Sequence, residues 1–137
     1  MSRTLRRRAF PPSTILRAGG VDPDAVCQAC GLDAPDHVPV RPAPKWMVKT
    51  WRGPVAAMTL PWAIYVRPDV LAGDRHRLAT LLVHEMVHVR QWRTFGTLGF
   101  AKAYLTGYIA GRRRGLGHYR AYLAIPLEAE AREIAGH

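Results

Sequence analysis

The chain is poor in acidic residues and in lysine. Its 137 residues include only ten Asp and Glu against twenty Lys and Arg, and only three of those twenty are lysines. The formal net charge is +10, and the segments 1–45, 46–94 and 95–137 carry +3, +4 and +3. No single segment is therefore a basic tail. This balance makes nucleic acid or an anionic membrane surface a candidate partner, but it indicates neither fold nor chemistry.

The chain also lacks a long apolar run. Its basic N-terminus is followed by prolines and polar residues instead of the apolar core of a secretory signal, so we expect a cytoplasmic protein. The most hydrophobic stretch, residues 95–110, contains Lys102 and three glycines and is shorter than a bilayer span of about twenty residues. It predicts a packed helix or, because three arginines follow at 112–114, an amphipathic helix peripheral to a membrane.

Cysteine is scarce, since Cys27 and Cys30 are the only two. Their C-x-x-C spacing resembles one half of a structural zinc site, but the second pair of ligands is missing. A metal there would need His37, a distant histidine such as His76 or His118, or a second chain. The alternatives are two ordinary reduced cysteines or a redox-active pair.

The chain divides at about residue 45. Residues 1–44 contain seven prolines and predict an irregular proline- and arginine-rich arm, with a short helix near residues 14–17. From residue 45, the β-prone runs 46–51, 55–60 and 62–67 predict three short strands, with a turn at 52–54 and an interruption at Pro61. We expect these strands to pair antiparallel where their connections are tight.

A metal-binding pattern lies in the following segment, His84-Glu85-Met86-Val87-His88. We predict a helix that begins with Asp74 as its N-cap, runs to about Arg93 and ends at Gly96 or Gly99. Residues four apart on a helix project from one face, so both imidazoles can bind one ion. Two histidines are half of a tetrahedral zinc site, and Glu85 beside them can serve as a general base.

The residues around this pattern are apolar on nearly all sides, which indicates a buried helix. Buried histidines and a buried carboxylate need polar partners, and a metal ion supplies them. The alternative interpretation is a set of solvated histidines, or a His/Glu pair, on an exposed helix.

The last segment predicts a helix that starts at Pro126, because proline fits the first turn of a helix. Its acidic residues Glu128, Glu130 and Glu133 either form an acidic N-terminal face, which the helix dipole favours, or supply the missing third ligand.

Together these motifs resemble the small gluzincin-type zinc metallopeptidase-like domains, many of which are known only as uncharacterised bacterial proteins. The resemblance covers residues 45–135 and rests on HExxH continued as Val89-Arg90-Gln91, the preceding TLPWAIYVRP and the following PLEAEA. It implies an α+β, zincin-like fold in which a small antiparallel sheet packs on the HExxH helix and one or two further helices follow. An edge strand would bind extended peptide. The N-terminal arm lies outside the resemblance.

The resemblance also implies a third zinc ligand from the last helix. The glutamate motif of several such families reads E-x-x-A-D, and Glu128 and Ala131 match it, whereas Arg132 replaces the final acidic residue. The ligand set implied is His84, His88 and Glu128. Glu130 is the alternative third ligand, and Glu133 requires another alignment.

The implied activity is zinc-dependent peptide hydrolysis, in which Glu85 takes a proton from the attacking water and returns it to the leaving amine. Oxyanion assistance has three candidates, Tyr119, Tyr122 and His118, with no spacing argument between them. Two other classes stay open. One is a non-proteolytic zinc-binding regulatory or interaction module. The other is a basic nucleic-acid or membrane-surface binding protein whose HExxH is structural.

Overall fold

The computed structural model describes residues 8–51 and 55–136 and has an α+β fold, as predicted. In chain order the elements are α1 (Pro12–Ala18), α2 (Pro23–Cys30), β1 (Val40–Pro42), α3 (Lys45–Val48), β2 (Ala57–Leu60), β3 (Ala63–Val66), α4 (Pro68–Leu71), α5 (Arg75–Arg113), α6 (His118–Leu123) and α7 (Pro126–Ala135).

The sheet is small and mixed, with the strand order β1-β3-β2. β2 and β3 pair antiparallel across the tight turn at Pro61, with Thr59 opposite Ile64, as predicted from their short connection. β1 pairs parallel to β3, with Val40 opposite Ile64. The expectation of a wholly antiparallel sheet is therefore wrong, because the third strand comes from the N-terminal segment and not from residues 46–51.

Residues 46–51 were predicted as a strand, and that prediction is wrong too. The chain forms the short helix α3 there, with Pro44 at its N-cap, and the Thr50 hydroxyl donates to the carbonyl of Met47. The strand was predicted because residues 46–51 are rich in aromatic and β-branched side chains. In the helix only Met47 is buried, so these side chains do not form the buried face of a strand. The predicted turn at 52–54 lies outside the described residues.

The N-terminal segment is more regular than its prolines suggested. Pro12 and Pro23 occupy the first turns of α1 and α2, where a missing backbone N–H is not needed. Asp22 caps α2 by accepting a hydrogen bond from the Asp24 N–H. Leu16, Val26 and other apolar residues of the two helices pack into the same hydrophobic core as α5. The prediction of an irregular arm is wrong for residues 23–30, which form α2, and for the extent of α1, whereas residues 31–39 form no helix or strand.

Helix α5 begins as predicted, with Asp74 as its N-cap accepting from the Arg77 N–H. Gly96 interrupts it with φ 71° and ψ 172°, but the helix resumes and continues to Arg113. We call residues 75–95 the motif half and residues 97–113 the distal half. The described residues include no helix with the length and apolar character needed to cross a bilayer.

The distal half packs on α6 and α7, and Pro126 opens α7 as predicted. The contact is close because it uses glycines: a Cβ added to Gly107 would lie 3.0 Å from Pro126 Cδ, and one added to Gly111 would lie 3.0 Å from Ala121 Cα. A second hydrophobic cluster, built on Phe100, Ile125 and Leu127, fills this junction. The start of α7 is thereby fixed against α5.

Candidate metal centre

Three metal-ligating side chains converge between α5 and α7. His84 and His88 leave one face of the motif half, and Glu128 comes from the first turn of α7. His84 Nε2 lies 3.1 Å from Glu128 Oε2, and His88 Nε2 lies 3.2 Å from Glu128 Oε1. All three residues are buried, and one ligand atom from each lies within 4.8 Å of the others. This group is able to hold a metal ion.

The donor set fits a transition metal that accepts nitrogen and oxygen. Tetrahedral zinc with bonds of about 2.0–2.1 Å separates its ligand atoms by about 3.3 Å. The nitrogen-to-oxygen distances of 3.1 and 3.2 Å involve the two different oxygens of Glu128, and one ligand atom from each of the three residues lies within 4.8 Å of the others, so the side chains lie near that spacing. Three protein ligands also leave one coordination position for water or substrate, as in catalytic zinc sites. The residues present therefore fit zinc.

Gln91 orients His88. His88 Nδ1 lies 2.7 Å from Gln91 Oε1, and since an amide oxygen can only accept, the imidazole donates from Nδ1 and turns Nε2, the atom that could bind an ion, toward Glu128. The Gln91 amide nitrogen donates in turn to the carbonyl of Leu127, which ties this contact to α7. Sequence reasoning missed Gln91, although its position three residues after His88 puts both on one helix face.

Contact between His88 and Glu128 shifts their pKa values in opposite directions. Burial alone would lower the pKa of His88, but hydrogen bonds with Glu128 and Gln91 and the charges of Glu85 and Glu128 raise it to about 9. Burial would likewise raise the pKa of Glu128, yet hydrogen bonds from His84 and His88 hold that pKa well below its usual range. Glu128 is thus a carboxylate, the form that binds a cation.

Two tyrosines, Tyr104 and Tyr122, lie next to Glu128. The Tyr104 hydroxyl donates to Glu128 Oε1 at 3.0 Å. Burial, together with the charge of Glu128, raises the pKa of both Tyr104 and Tyr122, so both hydroxyls remain protonated donors. Tyr122 was one of three candidates for oxyanion assistance, and it lines the site cavity. Tyr104 was missed because its role depends on the packing of the distal half.

Thr59 of β2 holds the Glu85 side chain in place. Thr59 Oγ1 lies 2.7 Å from Glu85 Oε2 and 3.2 Å from the Glu85 carbonyl oxygen. The Trp92 indole N–H donates to the Thr59 carbonyl at 2.9 Å, which ties β2 to the motif half. Both Glu85 and Thr59 are buried. The carboxylate of Glu85 therefore has a defined position beside the ligand group.

A cavity of about 220 Å³ opens onto these groups, and Glu85, His88 and Glu128 share its wall with all of β2. A wider, almost wholly apolar groove of about 490 Å³ lies beside it. The two spaces share the aromatic side chains Trp92, Phe100, Tyr104 and Tyr122. Tyr108 and His118 stand farther along the groove, where the Tyr108 hydroxyl lies 2.8 Å from His118 Nδ1. The site is thus a small, mostly apolar pocket that carries Glu85, His88 and Glu128 on its wall, with a wider apolar groove beside it.

The other acidic candidates lie apart from the ligand group. Glu130 pairs with Arg90 and accepts from the Gln91 amide at 2.9 Å. Glu133 is exposed. Arg132, which replaces the acidic residue of the family motif, donates to the carbonyl of Leu123. The described residues thus place only Glu128 of this helix with the two histidines.

The two cysteines lie on α2 and not in the tight turn of a zinc knuckle. Both are buried and reduced, and burial raises the pKa of the Cys27 thiol and raises that of Cys30 to about 11. The histidines considered as further ligands have other neighbours: His37 pairs with Asp33, His76 Nδ1 lies 2.9 Å from the Gly19 carbonyl oxygen, and His118 contacts Tyr108. Within the described ranges, the cysteines join no group of three metal-ligating residues.

The placement of the remaining oxyanion candidates is less favourable. Tyr119 is exposed and stacks on Tyr122 without lining the cavity, and His118 lines only the apolar groove. Comparison of the chain with models of protein families, with curated proteins and with solved structures finds no match.

Proposed function

We propose that this chain is a zinc-dependent hydrolase of the gluzincin type that cleaves peptide bonds. The observation that carries the proposal is the convergence of a carboxylate from α7 with both motif histidines, next to the separate carboxylate of Glu85. His84, His88 and Glu128 would hold the ion. When bound, zinc polarises a carbonyl oxygen and lowers the pKa of water.

Residues of the chain transfer the proton and position the reacting groups. Glu85 accepts the proton of the attacking water on its carboxylate and returns it to the nitrogen of the leaving amine. Thr59 holds that carboxylate through the bond to Oε2, so the proton goes to the other carboxylate oxygen, Oε1. Gln91 keeps His88 in the tautomer that binds through Nε2, and Tyr104 keeps Glu128 turned toward the histidines.

Two features of the cavity support a peptide substrate. β2 ends the sheet on the side of the cavity, because β3 lies between it and β1. An extended peptide can pair with the outer edge of such a strand. The apolar groove beyond the aromatic residues suits a bulky apolar side chain next to the bond that is cleaved.

A second candidate function is a zinc-binding interaction module without proteolysis. The size of the cavity at the ligand group favours it, since about 220 Å³ is below the range of about 300–1,000 Å³ of most small-molecule sites. The two candidates share the ligand group and differ only in whether Glu85 performs chemistry.

Elemental analysis of protein purified without added metal tests the ligand group. We expect one zinc per chain in the wild type, in Glu130→Ala and in the double variant Cys27→Ser/Cys30→Ser. We expect its loss in His84→Ala and Glu128→Ala. Loss in Glu130→Ala with retention in Glu128→Ala would overturn the assignment of the third ligand, and zinc that depends on the cysteines would overturn the site.

Cleavage of a mixed peptide library by zinc-loaded protein then separates the two functions. Glu85→Gln is the decisive variant, because it keeps the shape of the side chain and removes its basicity. We expect it to retain zinc and to lose cleavage by about 10²–10⁴-fold, the usual contribution of a general base. Full zinc content with no cleavage in the wild type would favour the interaction module.

A further inference from the structure

The distal half of α5 carries an apolar stripe that faces solvent. Leu98, Leu105 and Ile109 expose 87%, 59% and 40% of their surface. Their spacing of seven and four residues puts them on one face of a helix. Single exposed apolar residues need no explanation, but three in register on one helix face mark an interaction surface.

The orientation of this stripe is fixed by the opposite face of the same helix. There, Phe100 and Tyr104 pack into the second cluster, and Gly107 and Gly111 contact α6 and α7 too closely to admit a Cβ without displacement. The helix cannot roll to bury the stripe without losing these contacts. Its outward direction is thus a property of the fold.

The charged residues of the distal half, which carries the stripe, all have one sign. Between Glu85 and Glu128 the sequence contains seven Lys and Arg and no acidic residue. Lys102 lies between Leu98 and Leu105 on the exposed side, and the exposed residues Arg112, Arg113 and Arg114 end the helix. The stripe with its basic residues therefore complements a surface that is both anionic and apolar.

The apolar stripe and its basic residues favour one of three possible partners: a second copy of the chain, nucleic acid or an anionic bilayer. A second copy of the chain that docked through the same segment would bring Lys102, Arg112 and Arg113 against like charges or against uncharged residues, with no carboxylate in this segment to pair with them. Nucleic acid would match the arginines but would leave the leucines facing phosphate. An anionic bilayer matches both, since apolar side chains enter the headgroup boundary while Lys and Arg extend to the lipid phosphates.

We infer that the distal half of α5 docks flat on an anionic membrane surface, with Leu98, Leu105 and Ile109 inserted and with Lys102, Arg112 and Arg113 on lipid phosphates. The seventeen residues of this half span about 25 Å, which suits a helix lying in the interface. The inference does not depend on the metal centre, so docking should persist after chelation.

Co-sedimentation of the full chain with vesicles tests this inference. The probes are vesicles of phosphatidylcholine alone and of phosphatidylcholine mixed with phosphatidylglycerol, at low and high salt and with EDTA. We expect binding to the mixed vesicles that weakens with salt, survives EDTA and is at least about tenfold weaker on neutral vesicles, because each basic residue near an anionic surface adds measurably to affinity. Absence of binding to mixed vesicles at low salt would overturn the inference.

Matched variants separate docking by this face from general electrostatic attraction. We expect Leu98→Ser/Leu105→Ser to bind at least about tenfold more weakly at unchanged charge. Its control is Trp46→Ser, which removes an exposed apolar side chain on α3. We also expect Arg112→Glu/Arg113→Glu to lose binding, whereas Arg17→Glu/Arg75→Glu, with the same charge change on exposed residues elsewhere, keeps most of it.

All these side chains are exposed, so the variants should fold, and thermal unfolding checks this. Equal losses in both charge variants, or wild-type binding by the leucine variant, would overturn the docking face. Binding of the wild type to double-stranded oligonucleotide that the leucine variant retains in full, without vesicle binding, would assign the arginines to nucleic acid.

Discussion

The indole of Trp92 stacks on the ring of Phe100, with centroids 3.9 Å apart and planes 16° apart, although eight residues separate them along α5. In an unbroken helix, eight residues advance about 12 Å along the axis. The interruption at Gly96 is what turns the distal half back over the motif half. The aromatic wall of the cavity therefore depends on the backbone conformation of one glycine.

Gly96→Ala should destabilise the protein through its backbone alone. Gly96 has φ 71° and ψ 172°, a region that is essentially confined to glycine, and a Cβ there would contact nothing within 4 Å. We expect a loss of about 1–3 kcal/mol in the free energy of unfolding by denaturant. Gly117→Ala is the matched control, because its added Cβ is equally free and its φ of −66° suits alanine. Equal effects of the two substitutions would contradict the argument.

Gln91→Leu should weaken zinc binding without removing a ligand. The substitution leaves His88 Nδ1 without its acceptor and lets the imidazole change tautomer and rotate. Loss of such an orienting contact typically costs about 10–100-fold in metal affinity. Competition with a chromophoric chelator measures the affinity, and Glu130→Gln serves as the control because Gln91 keeps its bonds to His88 and Leu127. An unchanged affinity in Gln91→Leu would show that His88 is oriented by other contacts.

Thr59→Val should impair hydrolysis while leaving zinc content intact. Valine has the shape of threonine but lacks the hydroxyl that positions Glu85 Oε2. A hydrogen bond to a charged group contributes about 1.5–3 kcal/mol, so we expect kcat to fall about tenfold to a hundredfold with little change in KM. Thr59→Ser restores the hydroxyl and should recover most of the activity. A rise in KM alone would indicate that Thr59 acts on substrate binding and not on Glu85.

Cys30 should react slowly with iodoacetamide in the folded protein at pH 8. Its pKa is raised from 9.0 to about 11, chiefly by burial, which leaves about a hundredfold less thiolate than an unperturbed thiol. Because only the thiolate reacts, the rate in Cys27→Ser protein should rise about tenfold per pH unit from pH 8 to 10. Mass spectrometry of the labelled protein gives the rate, with urea-unfolded protein as reference. Fast labelling at neutral pH would instead indicate a redox-active cysteine.

The sequence was most informative where local chemistry determines structure. Asp74 and Pro126 carry helix-start signals that depend only on adjacent backbone groups, and the HExxH spacing depends only on helix periodicity. Glu128 was predicted through resemblance to a family motif, and its position beside His84 follows from the packing of α7 on α5. The two helix starts and the HExxH spacing thus needed no contact between distant residues, whereas Glu128 needed the family motif.

The remaining features depend on partners far along the chain. β1 has three residues, and its pairing requires β3 more than twenty residues later, so no local pattern marks it. The roles of Thr59 and Tyr104 arise only when the sheet and the distal half reach the motif half. Glycine is typical of a helix end, so Gly96 predicts that the helix stops there. The helix resumes because Gly107 and Gly111 pack closely on later helices.

The N-terminal helices contact the motif half on the side away from the cavity. Cys30 Sγ lies 3.8 Å from the carbonyl oxygen of Val83, the Arg90 side chain donates to the carbonyl of Cys30, and no residue from 8–44 lines the cavity. Residues of α1 and α2 share one buried core with Leu82 and Met86 of the motif half. Residues 8–44 therefore belong to the folded core of the domain, and we expect a chain that lacks them to lose stability without gaining access to the cavity.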